Sequence, residues 1–232
     1  MSKNKDLKKY YKSLRAELEK LNKTSADETL SRWESKESLK NGADIIKERI
    51  KPFINDKQQN TNKLTRKQMQ ELKDIINQIV LWKVNRQVFT TESILPAIIA
   101  FGKKEGFNLN SVLKEYRSET STLIEQMLVC QGIRLPMAST ILHFFYPDVF
   151  PIIDQRAYRV IMSTVKGTHI EYSDLIKPNT KSAACAEKYL DYLEACKTFY
   201  KEQKLKGKGI DFCDLDKFAY QFDIDLGYTI KY

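Results

Sequence analysis

The chain has 232 residues and is basic, with 39 Lys and Arg against 30 Asp and Glu and a formal net charge of +9. Its length suits one large domain or two smaller lobes, and no apolar run approaches the ~20 residues that a membrane span needs. The basic N-terminus lacks the apolar stretch and the cleavage site of a secretory signal. The net charge suits a polyanionic partner but does not by itself identify one.

Cysteine usage indicates a reducing environment. The four cysteines are widely spaced and form no CxxC pair, so the sequence predicts neither a zinc site nor a disulfide framework. They are Cys130, Cys185, Cys196 and Cys213. We therefore expect a cytoplasmic protein with no bound metal.

The first part of the chain is predicted to be helical. Residues 1–23 place leucines at three- and four-residue steps, which is typical of an amphipathic helix with a basic outer face. Residues 24–54 favour a short helical pair that is broken at Asn41-Gly42 and ends at Pro52. Residues 55–65 are polar and lack apolar periodicity, which predicts a linker. Thr65 then suits the N-cap of a long amphipathic helix.

Helical periodicity continues through the rest of the chain. Strand-like alternation is nearly absent, and short pieces such as FPII and YTIKY are the exceptions. The sequence therefore predicts a mostly α fold. Further helices are predicted over 90–107, 111–117, 118–130, 155–165 and 182–204, with a short one near the C-terminus.

A glycine turn between two predicted helices lies near the middle of the chain. A helix ending at Cys130, a glycine at Gly132 and a new helix from Pro136 indicate a turn of about four residues. Such a turn exposes backbone N–H groups at the start of the second helix, and these groups suit a phosphate. On these features alone, an ordinary helix–helix turn is the favoured explanation.

Asp154 follows the apolar stretch VFPII and precedes another predicted helix. An aspartate at this position is a natural N-cap, because its side chain accepts a bond from the free N–H groups of the first turn. A capping carboxylate near a helix N-terminus is also held ionised and oriented. Capping and a chemical role are therefore compatible.

Residues 131–160 (QGIRLPMASTILHFFYPDVFPIIDQRAYRV) resemble the helix–hairpin–helix and the Gly/Pro-rich loop with its aspartate in the HhH-GPD DNA glycosylase superfamily. That motif reads roughly L-P-G-V-G-x-K-T-A, then a helix and an apolar loop, then V-D-x-x-x-x-R-V. Gly132-Ile133 match the hairpin, and Ala138 matches the helix-packing alanine. Phe150 to Ile153 match the loop, Asp154 matches the aspartate, and Arg159-Val160 match the pair that follows it.

Two departures from the family pattern change the expected chemistry. Arg134 occupies the second hairpin glycine, and its guanidinium can itself reach a phosphate. Pro136 stands where bifunctional members carry a catalytic lysine, so no Schiff base forms there. The cysteines also lack the spacing of the iron–sulfur cluster found in some members. The resemblance thus implies a monofunctional glycosylase without a cofactor, with a monovalent cation at the hairpin left open.

The resemblance also implies an architecture, namely a two-lobed, all-helical fold with a cleft between the lobes. Residues 1–65 are expected to pack with 155–232 as one lobe. Residues 66–154 form the central lobe, which carries the helix–hairpin–helix (120–145) and the loop to Asp154.

The expected site combines one catalytic carboxylate with a DNA-binding hairpin. Asp154 would stabilise an oxocarbenium-like sugar and orient the attacking water, after the target base has flipped out of the duplex. The expected DNA-binding residues are Gln131, Gly132, Ile133, Arg134, Ser139, Arg156 and Arg159. The expected base pocket or wedge consists of Trp82, Lys83 and Arg86.

Several alternatives remain open at this point. Trp82 is either a base-stacking residue or part of the core, and Lys83 is either a phosphate contact, a solvated cation or a displaced lyase amine. The expected partner is double-stranded DNA, bound by a monomer that is nucleoid-associated in a bacterial cell.

Two rival functions compete with base excision. One is a helix–hairpin–helix module that binds DNA without catalysis, and the other is a helical adaptor whose basic N-terminal helix binds an acidic protein. The base is also open: alkylated purines, deaminated or oxidised bases, and bulky bases of viral DNA all fit. The last would make the protein a defence factor rather than a repair enzyme.

Overall fold

A computed structural model describes residues 2–35, 40–55, 64–84, 94–175 and 180–228. Within these ranges the chain forms twelve α-helices and two short 3-10 helices, and it forms no β-strand. The mostly α character predicted from the sequence is confirmed. Arg86, most of the expected linker and most of the YTIKY segment lie outside the described residues.

Seven helices precede the glycine turn. Their bounds are α1 Ser2–Lys20, α2 Lys23–Ser35, α3 Lys40–Asn55, α4 Arg66–Val84, α5 Ile94–Gly102, α6 Leu109–Leu113 and α7 Arg117–Val129. The predicted N-cap of α4 is confirmed, because the Gln68 N–H donates to Thr65 Oγ1 and the Thr65 N–H donates to Gln68 Oε1. Helix α3 does not end at Pro52 but continues to Asn55. Phe53 is buried in this last turn, and its packing offsets the hydrogen bond that the proline cannot make.

Five helices follow the turn. Their bounds are α8 Leu135–Phe145, α9 Gln155–Lys166, α10 Tyr172–Leu175, α11 Ser182–Glu202 and α12 Leu215–Asp225, with 3-10 helices at Leu205–Lys208 and Phe212–Asp214 between the last two. The expected strand-like piece FPII is a non-helical loop between α8 and α9.

The chain divides into two compact units. The terminal unit joins Met1–Glu37, Ile153–Thr180 and Asp191–Tyr232, and the central unit joins Ser38–Ile152 with Lys181–Leu190. This division differs from the grouping expected from the sequence in where it places 38–65, 153–154 and 181–190, so Asp154 belongs to the terminal unit. Helix α3 belongs to the central unit because it packs against α4, α5 and α8, with Ile46 and Ile50 buried.

The core of the central unit surrounds α8. Every residue of this helix except Pro136 is buried, and it packs against α3, α4 and α7. The segment after α8 is fixed by Tyr146, whose hydroxyl donates to the Ile98 carbonyl at 2.8 Å. Gly102 permits this arrangement, since a Cβ there would lie 2.2 Å from the Tyr146 ring.

The terminal unit is built around α9 and α12. Helix α12 packs along α9 and also contacts α2, while α1 contacts α9. Leu14 and Leu18 of α1 are buried, which confirms the apolar face predicted for the first helix. Among the described helices none is both long and apolar enough to cross a membrane.

Candidate nucleic-acid interface and carboxylate

The turn between α7 and α8 has the glycine geometry that the sequence predicts. The Ile133 N–H donates to the Cys130 carbonyl at 3.1 Å, which closes a tight turn. Gly132 lies within this turn at φ +84°, a left-handed conformation that glycine adopts without the penalty of a Cβ. We call residues 130–134 the hairpin turn.

The first amides of α8 are less available than the sequence suggested. Both the Met137 and the Ala138 N–H groups donate to the Arg134 carbonyl, at 2.8 and 2.9 Å. Pro136 lies at the start of α8 and has no N–H to offer. The part of the hairpin turn that faces solvent is its tip, where Gln131, Gly132 and Arg134 are exposed.

Two residues expected to bind DNA are structural instead. Ile133 is 1% exposed and anchors the turn in the core. Ser139 is also 1% exposed, and its hydroxyl donates to the Pro136 carbonyl at 3.0 Å. Neither side chain contacts a phosphate in this arrangement, because both are enclosed by protein.

Arg134 lies near Lys188 and the Cys185 thiol of α11. It occupies the N-cap position of α8 but makes no capping bond with its side chain. Burial raises the pKa of the Cys185 thiol at the start of α11, while the charges of Lys188 and Arg134 oppose that rise. The two cations therefore lie near the same thiol, and they add positive potential beside the hairpin turn.

The loop that leads toward Asp154 is held by the central unit. Phe150 and Pro151 are buried, and the Tyr189 hydroxyl donates to the Pro151 carbonyl at 2.8 Å. His143 Nδ1 lies 3.0 Å from the Phe150 carbonyl oxygen, which makes this nitrogen the donor. The loop is thus ordered by packing and side-chain bonds rather than by strand pairing.

Asp154 is the N-cap of α9. Its Oδ1 accepts the Arg156 N–H at 2.8 Å, and its carbonyl accepts the Tyr158 N–H. The side chain is half-buried, and its carboxylate has no other partner among the described residues. The cap therefore orients one oxygen, and the second accepts no hydrogen bond from the described residues.

The two arginines that follow Asp154 are bound to partners inside the protein. The Arg159 side chain is 2% exposed, and its Nε and Nη2 donate to both oxygens of Asp223 at 2.9 and 2.6 Å. Arg156 Nη1 donates to Asp223 Oδ2 at 2.7 Å and to the Tyr228 carbonyl at 2.9 Å. The expectation that these arginines bind DNA is therefore corrected, because an internal carboxylate holds both of them.

Asp223 is fully buried and accepts from three side chains. The third donor is the Tyr10 hydroxyl of α1, at 2.7 Å from Oδ1. We call Tyr10, Arg156, Arg159 and Asp223 the Asp223 cluster. Burial and the charge of Asp223 raise the pKa of Tyr10, so its hydroxyl stays protonated as a donor. The cluster connects α1, α9 and α12.

A second carboxylate completes the charge balance around Arg159. Arg159 Nη1 donates to Glu171 Oε2 at 3.2 Å, and His169 Nε2 lies 2.8 Å from Glu171 Oε1. Burial raises the pKa of Glu171, but the His169 hydrogen bond and the Arg159 charge outweigh it, and the net pKa is lowered. Burial likewise lowers the pKa of Arg159, but the bonds and charge of Asp223 outweigh it, and the net pKa is raised.

Trp82 takes part in the packing of the central unit. Its ring meets Phe144 of α8 edge-on at 5.2 Å, and a Cβ on Gly42 would approach it to 3.9 Å. The ring is half-buried, and its Nε1 is buried with no hydrogen-bond partner among the described residues. Lys83, the last residue but one of α4, is half-buried. These positions match the core alternative for Trp82 more closely than a projecting wedge.

Asp223, Tyr10 and Glu171 were not predicted from the sequence. A signal for the cluster was present, since Arg159 lies between Tyr158 and Val160, which are buried, and Asp223 follows Phe222 on the apolar face of α12. A charged residue on a buried helix face requires an opposite charge nearby. The sequence does not indicate which residue provides it, because Arg159 and Asp223 are 64 positions apart.

Comparisons with protein-family models, curated proteins and solved structures find no match to this chain. Within the described ranges, no group of three or more His, Cys, Asp or Glu side chains could hold a metal ion.

Proposed function

We propose that this protein is a monofunctional DNA glycosylase, which flips a modified or damaged base out of double-stranded DNA and hydrolyses its N-glycosidic bond. The observation that carries the proposal is the carboxylate of Asp154. It is half-buried, oriented by a single backbone N–H, and without another partner among the described residues. A carboxylate in this state can stabilise a cationic sugar, whereas one already bound by an arginine cannot.

The hydrolysis uses Asp154 in two ways. As the bond between base and sugar breaks, its electrons leave with the base and positive charge develops at the anomeric carbon, which the carboxylate stabilises. A water molecule then bonds to that carbon and transfers a proton to the carboxylate. The departing base takes a proton from solvent, and the Asp154 carboxyl group returns its proton to solvent, which regenerates the carboxylate. The products are a free base and an abasic site.

The hairpin turn supplies DNA binding in this proposal. Its exposed tip presents Gln131, Gly132 and Arg134 to the phosphate backbone, and such contacts fix register without reading sequence. Pro136 at the second position of α8 has no amine. The proposal therefore contains no Schiff base and no strand cleavage at this position.

The test is incubation of the protein with duplexes that each carry one modified base. The series contains uracil, hypoxanthine, methylated guanine, ethenoadenine, oxoguanine and glucosylated hydroxymethylcytosine, and alkali then cleaves the DNA wherever an abasic site has formed. We expect cleavage after alkali for at least one base and none without alkali. Absence of abasic sites across the series would contradict the proposal.

Asp154→Asn is the matched control variant. Asparagine is as good an N-cap as aspartate, so α9 keeps its cap while the negative charge is lost. We expect base release to fall by ~10²-fold or more, the typical cost of removing one positioned electrostatic group, with DNA affinity nearly unchanged. Release at the parental rate would remove Asp154 from the mechanism.

A non-catalytic DNA-binding module is the second candidate, and the cap bond of Asp154 favours it. In that function the carboxylate only stabilises the first turn of α9. Salt-sensitive duplex binding without base release from any duplex would support the module.

The identity of a released base would separate repair from defence, since only the glucosylated pyrimidine is typical of viral DNA in this series.

A further inference from the structure

We infer that Asp223 is a positioning residue for Asp154: it holds the Arg156 guanidinium and so keeps the Asp154 carboxylate unpaired. The inference rests on the proposed function and deepens it, since it assigns a role to a residue of α12 that the hydrolysis itself does not use. Asp223 does not contact the substrate in this account. It acts through Arg156.

Arg156 is the nearest cation to Asp154 along the chain. Its backbone N–H donates to Asp154 Oδ1 at 2.8 Å, so its side chain starts directly beside the carboxylate. An arginine side chain is long and forms strong bidentate bonds with carboxylates. Without a competing partner, Arg156 is the group that would pair with Asp154 and neutralise it.

The structure shows what competes for Arg156. Its Nη1 donates to Asp223 Oδ2 and to the Tyr228 carbonyl, and its guanidinium lies over the Tyr220 ring at 5.8 Å. The Arg156 side chain is only 17% exposed, and Asp223 is fully buried. A buried carboxylate is the stronger partner, because leaving it without cations costs more than leaving the half-buried Asp154 unpaired.

Arg159 strengthens this arrangement. It is buried and binds both oxygens of Asp223 through two nitrogens, so it helps to position the acceptor that Arg156 uses. Glu171 supplies a second negative charge to Arg159. The two positive charges of Arg156 and Arg159 are therefore balanced by the two negative charges of Asp223 and Glu171. Neither arginine forms an ion pair with Asp154.

The first measurement is single-turnover base release by Asp223→Asn, Arg156→Gln and the double variant, on whichever duplex the parent cleaves. Freed from Asp223, Arg156 pairs with Asp154, so we expect Asp223→Asn to slow release by at least about tenfold with little change in duplex affinity. In the double variant no arginine is left to pair with Asp154, so we expect it to release base at the rate of Arg156→Gln alone. A double variant as slow as Asp223→Asn would overturn the inference, because a purely structural role gives that result.

The second measurement needs no activity. Urea unfolding of Asp154→Asn, Arg156→Gln and their combination gives the coupling between the two side chains, in the parent and in the Asp223→Asn background. We expect no coupling in the parent and, with Asp223→Asn, a coupling of about threefold in the unfolding equilibrium constant. Absence of coupling in the Asp223→Asn background would overturn the inference. If the parent releases no base from any duplex, the proposed function fails and this cycle alone decides the role of Asp223.

Asp223→Glu covers the case in which Asp223→Asn does not fold. Glutamate keeps the buried negative charge that both arginines require, so we expect a folded variant that releases base within about threefold of the parental rate. A folded Asp223→Glu protein in which Arg156 stays bound to the glutamate but release is lost would contradict the inference.

Discussion

The hairpin turn exposes one arginine side chain, that of Arg134. Arg134 is exposed, and its side chain makes no capping bond. We predict that Arg134→Ala weakens duplex binding at low salt and reduces the slope of log affinity against log salt by about 1, the value for one lost phosphate contact. Fluorescence anisotropy over a salt series measures both. Arg66→Ala, which removes an exposed arginine at the start of α4, is the matched control and should leave the slope unchanged.

Glu171 gives a prediction about acid stability. Its folded-state pKa is lowered, so the unfolded chain binds its proton more readily than the folded protein does. The stabilisation is thus fully present above the unfolded pKa of about 4.3 and is lost as the pH falls through the lower folded value. We expect Glu171→Gln to be less stable than the parent at neutral pH, with the difference shrinking below about pH 4. Urea midpoints measured across this range test the sign, and a difference that grows on acidification would contradict it.

At the scale of elements, the close approach of α5 to the segment after α8 depends on Gly102. A Cβ there would lie 2.2 Å from the Tyr146 ring, so Gly102→Ala must displace a buried aromatic side chain. We expect a loss of about 1–3 kcal/mol in the free energy of unfolding, typical of overpacking. Gly42→Ala is the control, since its Cβ would meet Trp82 at an ordinary 3.9 Å and alanine is the better helix former. Thermal and urea unfolding compare the two variants, and equal effects would contradict the prediction.

The elements themselves were largely predictable from the sequence. Apolar periodicity located α4, and Thr65 marked its start, because local chemistry determines both features. Pro52 did not mark the end of α3 as predicted, because the burial of Phe53 stabilises the helix beyond the proline. Asp154 as an N-cap was also predictable, because a cap depends only on neighbouring residues.

Pairings between distant segments were not predictable. The sequence suggested that Arg156 and Arg159 bind DNA, because an arginine after a catalytic motif looks like a phosphate contact when its internal partner is unknown. Their partner Asp223 lies on α12, and only the packing of α9 against α12 brings it into contact. Ser139 was assigned to DNA for the same reason, since its burial follows from the enclosure of α8 on nearly all sides.

At the scale of the whole molecule, the terminal unit is assembled from three separate parts of the chain. Helix α1 provides Leu14 and Leu18 to its core and the Tyr10 hydroxyl to Asp223. The basic residues of α1 lie on the opposite face, where Lys8, Lys9 and Lys12 are exposed. One helix therefore combines a structural face with a charged face, and the adaptor function requires only the charged one.

The two faces of α1 can be separated by experiment. Deletion of residues 1–22 removes three buried leucines (Leu14, Leu18 and Leu21) and a donor to a buried carboxylate, so we expect more than about 4 kcal/mol of lost stability or an unfolded terminal unit. The matched variant replaces Lys8, Lys9 and Lys12 by glutamine and keeps every buried contact, so its urea midpoint should equal that of the parent. If the hairpin turn is the phosphate-binding site, as we propose, its duplex affinity should fall only modestly, because that turn does not use these lysines. Complete loss of duplex binding in the glutamine variant would show that α1 is the DNA-binding surface. A deletion variant as stable as the parent would show that α1 is not needed for the core of the terminal unit, as the adaptor function requires.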